Sequence, residues 1–161
     1  GYTQPQYSVS AIVNQKYNDW TDSYFSTSSG KERTYDDDSA TNIGLRAWWR
    51  PQETGVAIPS ISVGFDSSET GASSNSNTTM YFVGLNWQDM FQADDRIGLA
   101  LGQPQKRENE TTDPFAWEAY YSFQVNDSVN VTPAVFGGSD RNGTAGSDIT
   151  GAVLELSLIH I

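Results

Sequence analysis

The chain has 161 residues, with 20 acidic and 9 basic side chains, a formal net charge of -11 and a sequence pI near 4.2. That balance argues against nucleic acid as a partner, because neutralising phosphates needs a basic surface. Cysteine is absent and the one histidine is His160, which excludes disulfides and thiolate metal sites and leaves little for a triad. No continuous apolar run of about 18 residues exists, which excludes a transmembrane helix but not a membrane β-barrel, whose strands show lipid only alternate residues.

Period-2 alternation, the signature of strands, marks segments near 7–16, 42–50, 56–66, 78–88, 96–104, 114–125, 129–137 and 149–156. In "IGLRAWWR" it puts Ile43, Leu45, Ala47 and Trp49 on one face and Gly44, Arg46, Trp48 and Arg50 on the other. The third segment sets Ile61 and Val63 against Asp66, and the fourth sets Tyr81, Val83, Leu85 and Trp87 against Phe82, Gly84, Asn86 and Gln88. Ile97, Leu99 and Leu101 oppose Gly98, Ala100 and Gly102 in the fifth. In the sixth, Phe115, Trp117, Ala119, Tyr121 and Phe123 oppose Glu118, Tyr120, Ser122 and Gln124. Pro59 and Pro133 fall inside segments, where each removes a ladder donor unless a bulge or a rim accommodates it.

The connections alternate in character. "YNDWTDSYFSTSSGKERTYDDDSAT", "SSETGASSNSN", "QKRENETTD" and "GSDRNGTAGSD" are long and polar, while "PQETG", "MFQADD" and "NDS" are short. A barrel gives this rhythm when one rim carries external loops and the other tight turns. Alternation also describes a soluble sandwich with its apolar face turned inward, so the period leaves both architectures open. No constellation supports catalysis, and the chain reads as a non-enzyme without a cofactor or metal. "TYDDDSA" offers oxygen ligands for Ca²⁺ but lacks the spacing of a known loop motif.

The pieces "RAWWRP", "PSISVGFD", "GLNWQDMF", "GLALGQP", "WEAYYSFQVNDSVNVTPAVF" and "ITGAVL" occur in order over roughly residues 40–155. In them the chain resembles the C-terminal part of cyanobacterial outer-membrane porins related to the carbohydrate-selective OprB type. The resemblance implies an all-β, antiparallel up-and-down transmembrane barrel of about sixteen strands, of which residues 1–155 would be the last eight. It also implies residence in the bacterial outer membrane, contact with its lipids, and a homo-oligomer such as a trimer. The function implied is passive diffusion of small hydrophilic solutes such as sugars, inorganic ions or iron. The family's barrels finish on an aromatic residue, whereas this chain ends "LSLIHI". That string is also the translation of a common transposase-adapter end, so Leu156–Ile161 is expected to be adapter read-through and not native sequence.

On this reading Arg46, Trp48, Arg50, Asp66, Asn86, Gln88, Glu118, Tyr120, Ser122 and Gln124 line a water-filled pore. Leu45, Trp49, Ile61, Val63, Val83, Leu85, Trp87, Leu99, Leu101, Trp117, Tyr121 and Phe123 face lipid. A charge on the lipid face near midplane costs about 2–4 kcal/mol, which turns the arginines inward. Arg46 and Arg50 are expected to act on passing ions nearly independently, being about 13 Å apart along a strand. The competing reading is a soluble β-sandwich carbohydrate-binding module, with the Trp and Tyr rings as its stacking platform.

Overall fold

The computed structural model describes the backbone of residues 1–26, 31–70 and 77–158 and, within these, the side chains outside 18–38, 70 and 142. The strands are β1 (Tyr2–Gln4), β2 (Tyr7–Ser26), β3 (Lys31–Trp49), β4 (Ser60–Thr70) and β5 (Asn77–Gln88). They continue as β6 (Arg96–Arg107), β7 (Phe115–Asn126), β8 (Val129–Ser139) and β9 (Ile149–Leu158), with one 3₁₀ turn at Arg141–Gly143. All nine form one antiparallel sheet in chain order, each strand paired only with its neighbours in sequence. The sheet is open: β1 and β9 are its edges.

Register turns the alternation into two continuous faces. Tyr7, Trp49, Ile61, Leu85, Leu99, Ala119, Val135 and Ala152 stand side by side across eight strands. Val9, Ala47, Val63, Val83, Leu101 and Trp117 form the next row, and Ala11, Leu45, Phe65 and Tyr81 the one after. Among the described residues nothing packs over them. Ala40 and Pro114 are the buried apolar side chains among the described residues, while Val9, Leu45, Ile61, Val63, Phe65 and Leu101 are all exposed. A sandwich needs a second sheet to close its core, and the described residues supply only one layer.

Three expectations about the strands change. The described residues form nine strands and not eight, because Tyr2–Gln4 pairs back onto Tyr7–Val9 around Pro5 and Gln6. The polar stretch 17–41, expected to be an external loop, keeps pairing out to Ser26 against Lys31, with a bulge between Tyr17 and Trp20. Polar residues can extend a ladder because backbone hydrogen bonding needs no apolar face. The acidic run of "TYDDDSA" lies on that extension, and the side chains of Thr34–Asp38 lie outside the described residues. The segment expected at 56–66 starts as a strand only at Ser60, so Pro59 precedes the ladder and interrupts nothing.

Pro104 and Pro133, the two prolines inside strands, sit at ladder defects. Pro104 lies where the β5–β6 register shifts between Thr79 and Tyr81. Beside Pro133 the β7–β8 pairing lapses, resuming at Tyr120 with Ala134 on one side and Phe123 with Val131 on the other. In both places the ladder yields where the ring has no N–H to give. β9 runs to Leu158, pairing Leu156 with Val131 and Leu158 with Val129, so the first residues of "LSLIHI" continue the apolar face.

The turn at 89–95 is held from inside. Met90, Phe91 and Gln92 donate their amides to the carboxylate of Asp95 at 2.7, 2.9 and 3.1 Å, and the Tyr121 hydroxyl donates to it at 3.0 Å. Asp95 is fully buried. Burial alone would raise its pKa, but the three amides and the hydroxyl outweigh it and hold the carboxyl below the ordinary carboxylate value. A depressed folded-state value means the charged Asp95 stabilises the fold above the unfolded pKa, about 3.9, and that this contribution fades as pH falls through the folded value. Asp95→Ala is expected to lower the urea midpoint in detergent at neutral pH. The gap between wild type and Asp95→Asn should narrow as pH falls below about 4; a gap that widens on acidification would refute the assignment.

Candidate functional site: the charged face of the sheet

Opposite the apolar rows lies a face of small, polar and charged side chains. Register puts Trp48 beside Ser62, then Gly84, Ala100 and Glu118. Arg46 stands beside Gly64 and Phe82, and Asp66 beside Gly44. Asn86 stands beside Gly98 and Tyr120, Gln88 beside Arg96 and Ser122, and Gln124 beside Asn130. The residues expected to line a pore therefore share one face, with Arg50 just past the end of β3. Those expected to meet lipid share the other.

The two arginines differ more than their spacing suggests. Arg46 is ion-paired: its Nη2 lies 2.7 Å from Asp66 Oδ2, with side-chain exposures of 44% and 30%. Its Nη1 donates to the carbonyls of Leu45 and Phe65 at 2.8 and 3.1 Å, and its guanidinium carbon stands 5.5 Å from the Phe82 ring centroid. A pair this exposed adds at most about 1 kcal/mol to stability. Its effect is electrostatic, since Asp66 balances the charge of Arg46 locally. Adjacent strands bring Asp66 to Arg46, so of the two arginines expected to line a pore Arg46 stands beside a carboxylate.

Arg50 donates Nε to the Pro5 carbonyl at 2.8 Å and lies 5.7 Å from the Trp48 ring centroid. Its own amide bonds to the Gln6 carbonyl at 2.9 Å. Arg50 forms no ion pair among the described residues. It opens into a cleft of about 720 Å³ walled by Gln4, Gln6, Gln52, Glu53, Ser60, Asn86 and Gln88. The connection 50–59 shapes this cleft by folding back on the end of β5: Gly55 donates its amide to the Gln88 carbonyl at 2.8 Å, and Trp87 Nε1 donates to the Ala57 carbonyl at 2.8 Å.

Elsewhere the polar face is cross-braced. Asn86 Nδ2 donates to the Tyr120 hydroxyl and to the Ile97 carbonyl, both at 3.2 Å. The Ser122 hydroxyl meets Asn130 Nδ2 at 3.1 Å and Thr132 Oγ1 at 3.0 Å. Glu118 and Gln124 are exposed. On the apolar side, Tyr121 stacks on Phe123 at 5.1 Å and meets Phe91 edge-on at 5.9 Å, forming an aromatic cluster near the ends of the strands.

Sequence reasoning left Phe82 and Arg96 out of the residues expected to line a pore, although the alternation of their segments already put both on that face. Asp95 was missed for a different reason, because in "QADD" it reads as a solvated turn acid. No group of three or more acidic or histidine side chains suited to a metal occurs among the described residues. The face can offer fixed charges, carboxamides and aromatic planes to a solute in water. Comparison with family models, with curated proteins and with solved structures found no match.

Proposed function

We propose that this sheet is wall from a transmembrane β-barrel of the bacterial outer membrane, a porin that passes small hydrophilic solutes by diffusion. The observation that carries the reading is the single layer with two unlike faces. Across the apolar rows from Tyr7 to Ala11 and from Trp87 to Tyr81, no charged side chain shares that face among the described residues. An apolar face of this extent with no protein over it is what lipid solvates. The strands from β4 to β8 are 11 or 12 residues long, matching the roughly 9–11 needed to cross with a tilt. The resemblance to OprB-type porins adds the full barrel, of about sixteen strands, and a trimer; sugars and inorganic ions are the solutes it suggests.

The test is reconstitution of the whole barrel in planar bilayers, where discrete conductance steps are expected. The 161-residue chain by itself should not conduct. Its two open edges expose unpaired backbone groups that hydrocarbon does not tolerate. Expressed alone, it is expected to aggregate or to require detergent. A monomeric chain with cooperative thermal unfolding in plain buffer would refute the membrane reading and favour a soluble binding module.

A further inference from the structure

Phe82 does not project freely from the polar face. It leans from β5 across Gly64 on β4 toward Arg46 on β3, three positions that the register sets side by side. A Cβ at residue 64 would overlap Phe82 Cε1 and come within 2.8 Å of Cδ1 and Cζ. The ring therefore fills the space that a side chain at 64 would take. On the other flank Phe82 is paired with Gly102, where the two backbones approach so closely that a Cβ at 102 would meet Phe82 Cα at 2.8 Å. Arg46, tied to Asp66 and to two backbone carbonyls, closes the far side.

We propose that Gly64 is a seat that keeps Phe82 flat against the wall and so sets the bore of the passage at this level. The proposal rests on the pore reading and adds a specificity-determining position to it. Only the hydrogen side chain of glycine leaves room for the ring. A larger residue at 64 pushes the ring off this seat, and rotation of Phe82 away from the sheet carries it into the passage.

Two readouts separate this idea from the reading beneath it. In single-channel recordings of the assembled barrel, Gly64→Ala is expected to lower conductance and Phe82→Ala to raise it. Gly64→Ala/Phe82→Ala should match Phe82→Ala alone, because a methyl group at 64 has nothing to displace once the ring is gone. If Gly64→Ala fails to assemble, the seat predicts that the double substitution restores assembly. The second readout needs no current. With 4-fluorophenylalanine at position 82, the solvent-isotope shift of the ¹⁹F resonance reports how much water reaches the ring, and Gly64→Ala should increase it. Unchanged conductance together with an unchanged ¹⁹F shift in Gly64→Ala overturns the seat, as does a double substitution whose effect is the product of the two singles. A wild-type protein that never conducts, but whose ¹⁹F shift responds as expected, overturns the pore reading and leaves the seat standing.

Discussion

Val83→Arg is expected to destabilise the proposed barrel in lipid vesicles by about 2–4 kcal/mol, the cost of a cation at the bilayer midplane. Val83 sits in the middle apolar row, between Val63 and Leu101, with further apolar rows on either side. Its arginine would have to reach for an interface from the least favourable depth. Glu118→Arg is the matched control: Glu118 lies on the other face two strands away, is exposed, and should change stability by less than about 0.5 kcal/mol. Equilibrium urea unfolding with intrinsic tryptophan fluorescence measures both. A larger loss for Glu118→Arg would mean that the faces are assigned the wrong way round.

The second large effect is on ion selectivity, and the Arg46–Asp66 pair shapes it. Arg46→Gln leaves Asp66 as an uncompensated anion, so the reversal potential under a salt gradient should move toward cation preference. Asp66→Asn leaves the guanidinium unbalanced and should move it the opposite way. Arg50→Glu reverses a cation that forms no ion pair among the described residues, and should give the largest cationic shift of the three. All three effects should shrink as salt rises, because the Debye length is about 10 Å at 0.1 M and about 3 Å at 1 M. Opposite shifts for the two pair substitutions are the decisive result. Shifts of the same sign, or none at low salt in open channels, would remove this face from the conducting path.

How much of this was legible in the sequence differs by feature. The two faces were, because period 2 is a local property: once Arg46 and Leu45 are neighbours on a strand, they point apart whatever else the chain does. Strand ends were less so. Residues 17–26 and 31–41 carry no apolar stripe, yet they pair, since their ladder satisfies backbone groups and not side chains. Val56–Ile58 read as strand from their β-branched character, but Gly55 and Ala57 are bonded to the end of β5 and draw the chain into a connection. The Arg46–Asp66 pair joins two residues of one face, and the sequence offered Glu118 equally well as the partner. Only the β3–β4 register brings them together, and no local pattern encodes register between strands twenty residues apart. The seat under Phe82 was hidden for the same reason, because a glycine in a strand does not announce which neighbour leans over it.

Pairing restricted to chain neighbours also bears on how fast such a wall can form. Most contacts between strands close across short connections, such as Pro5–Gln6 or Asp127–Ser128. Each new hairpin then pays a loop-closure entropy that grows only logarithmically with the residues enclosed. Growth can proceed one strand at a time, like a zip, in the low-contact-order regime where folding is quick. Closing a complete barrel would be the exception, since its first and last strands lie a whole chain apart and no intermediate pairing draws them together in advance. That seam carries the largest entropic penalty in the topology, and the rate of assembly should be decided there.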